Sequence, residues 1–312
     1  MHEKETAMKK KFIVLVGPTA SGKTEAADVL AGKYPLEIIS ADSRQVYRFM
    51  DIGTGKSSDK KSHKLIDVVD PDEPFSVADY KIMAERAMQG SFKKGKIPFI
   101  VGGSGLYVRA LVDGLCPAPK ADRDIREGLV SEAGKYGAQR LYKRLEKVDR
   151  KTAQKIHPND TRRIIRALEV FMLTGTPISD LQKRTEKSEY DIFMIGIRWP
   201  RHILYKRIED RCEDMFNKGI EREVRDLLER GYGEHLKSMD GLGYKEIIGF
   251  LKKKHSLSET KRLIMRNTRR YAKRQMTWFR KDPRIKWVEI GEKDIKYAIG
   301  EIANCIDKFI YI

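Results

Sequence analysis

A chain of 312 residues with 63 Lys and Arg against 45 Asp and Glu carries a formal net charge of +18. That length supports one large or two moderate domains without disulfides or metal, and the charge excludes a polycationic partner in favour of a polyanion, nucleic acid before an anionic membrane surface. Three scattered cysteines (Cys116, Cys212, Cys305) with no C-x-x-C, and six histidines without paired ligand spacing, argue against structural zinc and for a reducing, cytoplasmic setting.

The start MHEKETAMKKKFIVLV is basic and then apolar, but its apolar part runs straight into a glycine-rich loop, so it reads as a first strand and not as a signal peptide. No run approaches the roughly 20 apolar residues of a membrane helix. Further strands are predicted at LEIIS (36–40), KLIDVV (64–69) and IPFIVGG (97–103). Between the last two, Val77, Tyr80, Ala84 and Ala87 fall at helical spacing and Gly95 supplies a stop. Strand and helix in alternation predict an α/β fold with a buried parallel sheet. From residue 120 to 188 the strand signal is replaced by helical patterns, including DTRRIIRALEVFMLTG with Asn159 or Asp160 as cap and Gly175 as stop. We therefore expect a core in two parts, 1–119 and 189–312, interrupted by a mostly helical insertion. A strand returns at DIFMIGIRW (191–199), long helices follow, and IKWVEI (285–290) reads as the last strand.

Residues 17–24, GPTASGKT, satisfy G-x-x-x-x-G-K-[ST] between a predicted strand and a predicted helix. In this phosphate loop the backbone of Gly17, Thr19, Ala20, Ser21 and Gly22 would cradle phosphate oxygens, Lys23 would add a charge, and the Thr24 hydroxyl would ligate Mg²⁺. The plain alternative is a glycine-rich turn with an exposed lysine. An NTPase would place an Asp at the end of a later apolar strand, whereas IPFIVGG ends in glycines. Asp67 and Asp70 in LIDVVD could substitute, but the first lies inside a predicted strand and the second opens the turn DPDEP. The loop is thus better suited to a departing diphosphate than to hydrolysis.

After the second predicted strand comes SADSRQVYRFMDIGTGK (40–56), which in a doubly wound sheet puts Asp42 beside the phosphate loop. With GPTASGKT, and with DSRQVY, MDIGT, VGGSGLYVRAL, HPNDTRRIIRALEV, EVRDLL, GLGYKE and RRYAKRQMTWFR in order over residues 12 to about 288, the chain resembles the tRNA dimethylallyltransferases. The resemblance implies a P-loop NTPase-like core with a tRNA-binding helical insertion. It implies transfer of a dimethylallyl group from dimethylallyl diphosphate to N6 of adenosine 37 in the tRNA anticodon loop, with Mg²⁺. It also implies Asp42 as general base, Arg225 as a diphosphate ligand beside Lys23, and Ser104, where the family more often has Thr, at the target nucleotide. Asp42, Ser43, Arg44 and Gln45 would contact tRNA, as would Arg126 and Arg162, Arg163 and Arg166 of RRIIR. The chemistry agrees: the N6 lone pair is delocalised, so a carboxylate must accept its proton as the bond to carbon forms. Asp42 alone would otherwise read as a turn residue, Ser104 as a helix cap, and Arg225 as a partner of Glu221 or Glu229.

Residues 251–286 hold fourteen Lys or Arg against Glu259 and Asp282 alone. A helix from Lys261 to Lys281 would have no acid on it, and like charges four apart repel, so Arg266, Arg269 and Arg270 are expected to contact phosphates of RNA. Tyr271, Trp278 and Phe279 read as core before base-stacking platforms. Rival readings are an adenylate isopentenyltransferase acting on free nucleotides, which lacks a comparable insertion, a small-molecule kinase, and a non-enzymatic RNA-binding protein. We expect a monomer, with no membrane partner.

Overall fold

The computed structural model describes residues 10–184 and 189–311. The chain opens with β1 (Lys11–Val16), α1 (Lys23–Lys33), β2 (Leu36–Ser40), β3 (His63–Lys64), α2 (Val77–Lys93), β4 (Ile97–Gly102) and α3 (Gly105–Val112). Five helices follow: α4 (Arg123–Tyr136), α5 (Ala138–Val148), α6 (Arg150–Ala153), α7 (Thr161–Thr174) and α8 (Ile178–Gln182). The chain then returns with β5 (Asp191–Arg198), α9 (Arg201–Asn217), α10 (Ile220–Glu229), α11 (Tyr244–Leu251), α12 (Leu257–Phe279), β6 (Ile285–Glu289) and α13 (Ile295–Ile310). Among the described residues no helix is long and apolar enough to cross a membrane.

Two compact units result, one from the residues up to Val112 together with those from Glu189, the other from Asp113 to Ser188. The division falls at Asp113 instead of residue 120 because α3 still delivers Val108, Leu111 and Val112 to the core of the first unit.

In the first unit six strands form a parallel sheet in the order β3-β2-β4-β1-β5-β6. The central strand β1 reads as an unbroken apolar run because both its faces are covered. Ile13 and Leu15 pack with Ala26, Ala27 and Leu30 of α1 and Ala298 and Ile302 of α13. Phe12, Val14 and Val16 pack on the other side with Tyr80, Ala84 and Met88 of α2. Each fully buried side chain of this size contributes roughly 2 kcal/mol. A third apolar cluster joins Val46 and Met50, after β2, to Cys212, Met215, Val224, Tyr244 and Ile264 from α9 to α12. Helix α2 starts at a capping box between Ser76 and Asp79, which satisfies two amide groups that the helix itself cannot.

The segment KLIDVV departs from expectation. Only His63 and Lys64 pair with β2, after which Leu65 (φ 63°) and Asp67 (φ 55°) turn into the left-handed region. A strand cannot continue through two such residues. The chain instead hydrogen-bonds back to the segment after β2, Asp67 N to Gln45 O at 3.1 Å and Val68 N to Val46 O at 2.7 Å.

The second unit has its own core of Leu129, Leu141, Leu145, Ile164, Ile165 and Leu168. Gly137 (φ 82°) separates α4 from α5, and Asp160, not Asn159, caps α7. At its centre the fully buried Glu169 accepts hydrogen bonds from Arg126 (2.8 Å), Arg166 (2.7 Å) and the Asp122 amide (2.9 Å). Burial alone would raise the Glu169 carboxyl, but the two guanidinium groups and the amide hold it below the usual range.

Because that carboxylate joins α4 to α7, Glu169→Ala leaves two cations without their anion and should destabilise the second unit by about 3 kcal/mol in urea denaturation. In the unsubstituted protein a carboxyl depressed on folding contributes stability above its unfolded value. That contribution should disappear as pH falls below about 4.5 through the folded value, and be absent at all pH in the variant.

Candidate active site

The turn after β1 bends through Ala20 (φ 63°) and Gly22 (φ 88°) into α1, whose first-turn amides have no partner within the helix and point toward an anion. At φ 88° Gly22 adopts a backbone conformation that side-chain-bearing residues rarely take, and a Cβ there would also press on Ile295 Cδ1 at 2.6 Å. The loop's shape is fixed from outside. Arg207 Nε donates to Ala20 O (2.8 Å), Trp199 Nε1 to Ser21 O (3.0 Å), and Arg211 to Thr19 Oγ1 (3.1 Å). The amide of Thr19 donates to Gln275 Oε1 at 2.9 Å, which removes it from the expected phosphate cradle. Lys23 Nζ donates to Pro18 O at 2.7 Å. Its pKa falls to about 8, because burial and the nearby Arg211 charge outweigh the attraction of Asp42. Arg211 is likewise lowered, by burial first.

Asp42 follows the carboxyl end of β2, where its Oδ1 accepts from the Arg44 amide at 2.8 Å. The Ser104 hydroxyl does not cap α3; its Oγ accepts from Ser43 N at 2.9 Å and donates to Ser43 Oγ at 3.2 Å. At the end of β4 a Cβ on Gly102 would lie 2.1 Å from Ala41 O, and one on Gly103 would lie 2.2 Å from Gln275 Nε2. The strand end that carries an aspartate in hydrolysing NTPases has no room for a side chain here. Lys23, Thr24, Asp42, Arg211, Tyr271 and Arg274 line one cavity of about 780 Å³. Tyr271, pushed up to about 12 by burial and then by Asp42, stands within electrostatic reach of that carboxylate.

Another wall is the loop Gly53–Lys56. Glu223 of α10 accepts from the amides of Asp51 (2.9 Å), Ile52 (2.8 Å) and Gly53 (3.2 Å), and from the Tyr244 hydroxyl at 2.7 Å. Tyr244 is raised well above its ordinary value by burial and by this carboxylate. Asp67 is held by Lys56 and Lys60, and Asp70 by Arg48, so neither faces the loop as a substitute metal ligand.

The structure thus brings residues 19–24, Asp42, Ser43, Arg44 and Gln45 to one cavity. Arg44 and Gln45 are largely committed: Arg44 donates to Lys237 O (2.6 Å), while the buried Gln45 bonds Ser40 and Gly55 O. Arg225 is not brought there. It is exposed and paired with Glu221 at 2.7 Å, an i,i+4 contact on the outer face of α10. Arg269 pairs with Glu209 and lies over Tyr205, so it is occupied too, whereas Arg266 and Arg270 are exposed. The basic helix α12 also begins earlier than expected and includes Glu259, which holds Arg262. Phe279 is buried, but Trp278 is 40% exposed. In the second unit Arg162 and Arg163 are exposed, while Arg126 and Arg166 share Glu169.

Sequence reasoning missed Arg207, Arg211, Glu223, Tyr244 and Gln275. One signal was present: Arg207 and Arg211 form an i,i+4 cation pair on the helix that follows the strand beside β1.

A phosphate loop with a carboxylate beside it, and no room for a side chain at the end of β4, suits a P-loop transferase better than a hydrolase. The family profile described as IPP transferase matches residues 45–282, and one described as isopentenyl transferase matches residues 10–70. A tRNA dimethylallyltransferase of Geobacter sulfurreducens is 48% identical over 91% of this chain and 94% of its own. One from Desulforudis audaxviator is 47% identical over 90% and 92%. The solved tRNA isopentenylpyrophosphate transferase of Bacillus halodurans superposes with a TM-score of 0.71 at 41% identity, covering 96% of each chain. A eukaryotic dimethylallyltransferase acting on tRNA gives 0.80 at 26% identity, over 96% of this chain and 80% of that one. The chain belongs to the IPP transferase family and is a prenyltransferase.

The two arginines separate cleanly in an assay. Arg211→Ala should lower kcat/KM for the prenyl diphosphate by on the order of 10², while Arg225→Ala should change it by less than about threefold, the loss of an exposed pair. Steady-state kinetics at saturating acceptor checks both.

Proposed function

We propose that this chain transfers a dimethylallyl group from dimethylallyl diphosphate to N6 of adenosine 37, beside the anticodon of a tRNA, and releases diphosphate. The observation that carries the reading is that Asp42 and Lys23 line one cavity, at the carboxyl ends of β2 and β1. The diphosphate rests on the first turn of α1, with Lys23 and Arg211 over its oxygens. As the allylic C–O bond opens, negative charge grows on the leaving group where those cations already stand. Asp42, oriented by the Arg44 amide, accepts the N6 proton as the new N–C bond forms. Ser43 lines the cavity and is held by Ser104, which does not itself line it; the Ser43 hydroxyl would meet the adenine, with Ser104 behind it.

The Thr24 hydroxyl, in the cavity wall on the first turn of α1, fits one ligand position of Mg²⁺. The remaining positions suit diphosphate oxygens and water, the mode this ion adopts with phosphates. The ion would neutralise charge on the leaving diphosphate. No group of three or more metal-binding side chains exists among the described residues, which accords with a metal that arrives with its substrate.

A target adenine stacked in an anticodon loop must be turned out to reach Asp42. Exposed Arg266, Arg270, Lys273 and Arg274 on α12, and Arg162 and Arg163 on α7, suit the phosphates of the RNA. We assign Arg126 and Arg166 first to holding Glu169, with their outer edges toward RNA.

Incubation with labelled dimethylallyl diphosphate or ATP, and with tRNA or AMP, tests the reading directly: label should pass only from the prenyl donor to tRNA. Asp42→Asn keeps the shape but cannot take the proton, so prenyl diphosphate binding should persist while transfer falls by roughly 10² to 10⁴. Transfer at the normal rate would assign the proton to another acceptor. The lowered Lys23 gives a pH signature. Diphosphate binding requires the ammonium, so affinity should be flat below about pH 8 and decline above it, as the free enzyme's lysine loses its proton. Lys23→Arg should remove that decline in calorimetric titrations, because a guanidinium stays charged there.

A further inference from the structure

On α9 two side-chain stripes lie next to each other. Arg207 and Arg211, four residues apart, lean on the phosphate loop, and Ile208, Cys212 and Met215 form the adjacent stripe of the same helix. Both stripes line the cavity, joined by Leu242 and by Ile264 of α12. Asp210, Asp214 and Lys218 of the same helix also line the cavity, but they are exposed and closed in the pairs Lys206–Asp210 and Lys218–Asp214, which leaves Ile208, Cys212 and Met215 as its buried apolar wall. Cys212, Met215, Ile264 and Tyr244 belong to one packed cluster, so this apolar end is a wall with side chains behind it. Met215 is the long side chain of that wall: it lines the cavity at 7% exposure, and its Cε packs against Gly243, 3.1 Å from where a Cβ there would stand. An unbranched thioether fills an irregular apolar gap, and its truncation to alanine removes three heavy atoms from the wall.

We infer that Met215, backed by Cys212 and Ile264, sets the chain length of the allylic diphosphate, stopping the pocket after one five-carbon unit. This inference rests on the reaction proposed above for the direction of the tail. With a ten-carbon donor the chemistry is unchanged: the C1–O bond breaks, the N6–C1 bond forms, the N6 proton passes to Asp42 and diphosphate leaves with its bonding electron pair. Only the tail beyond the reacting carbons meets Met215. An added isoprene unit that cannot be accommodated costs at least the tenfold that even a single methylene can cost in a fitted apolar pocket.

The test compares dimethylallyl and geranyl diphosphates, by calorimetric binding to the full chain and by mass spectrometry of nucleosides from tRNA after transfer. Wild type should prefer the five-carbon compound by at least about tenfold in both. Met215→Ala should reduce that preference by about tenfold or more, Met215→Val by an intermediate factor, and the volume-conserving Met215→Leu should keep it. Circular dichroism establishes that each variant is folded, and the milder Met215→Val carries the test if Met215→Ala is not. Equal binding of both compounds by wild type, or an unchanged preference in a folded truncation variant, overturns the inference. Because the binding arm needs no acceptor, a chain that selects by length but transfers nothing to tRNA would overturn the proposed reaction and leave this assignment standing.

Discussion

One buried amide sets the terms for the rest of the site. Gln275, near the C-terminal end of α12, accepts from Thr19 N and donates to Gly103 O, both at 2.9 Å. It thereby joins the phosphate loop after β1 to the loop after β4, and an amide 5% exposed is stable only with such partners. The same bridge fixes α12 against the sheet, which brings Tyr271 and Arg274 of that helix to the cavity. It also fills the space beside Gly103 while Ala41 fills the space beside Gly102. An aspartate at the end of β4 is therefore excluded by packing, whereas the carboxylate of Asp42 follows a different strand, β2, and suits a different task.

The electrostatics follow from that arrangement. Lys23 and Arg211 stand together in the cavity with Asp42 as the nearby counter-charge, and burial depresses both cations. In the proposed reaction a diphosphate would meet cations that the fold has already desolvated. Glu223 has the complementary task of shaping. By taking three successive amides of residues 51–53 and the Tyr244 hydroxyl, it gives a glycine-containing loop one conformation, which the loop's own sequence does not specify.

What the sequence disclosed, and what it withheld, divides along the range of the forces involved. The strands flanking the phosphate loop, the loop itself and the cap of α7 were legible because each depends on neighbours a few residues away. The break in KLIDVV was not, since nothing local announces that Leu65 and Asp67 will adopt positive φ; hydrogen bonds to Gln45 and Val46 draw them there. Arg225 and Arg211 both lie on charged helices, and only the packing of α9 on the phosphate loop distinguishes the one that faces the cavity. The basic helix misled for a related reason. Besides its own Glu259, its counter-charges are supplied by another element, Glu209 and Glu213 of α9, which neutralise Arg269 and Lys261 across the helix pair.

The span bridged by Gln275 has a consequence for how the molecule is made. Thr19 and its partner are separated by 256 positions, and the strand β6 that extends the sheet lies later still. During synthesis at about 5–20 residues per second, the phosphate loop waits many seconds for the side chain that gives it shape. Long-range pairings of this kind form late, after most of the chain has collapsed. A nascent chain stalled before residue 275 would carry a recognisable phosphate-binding sequence and no competent site.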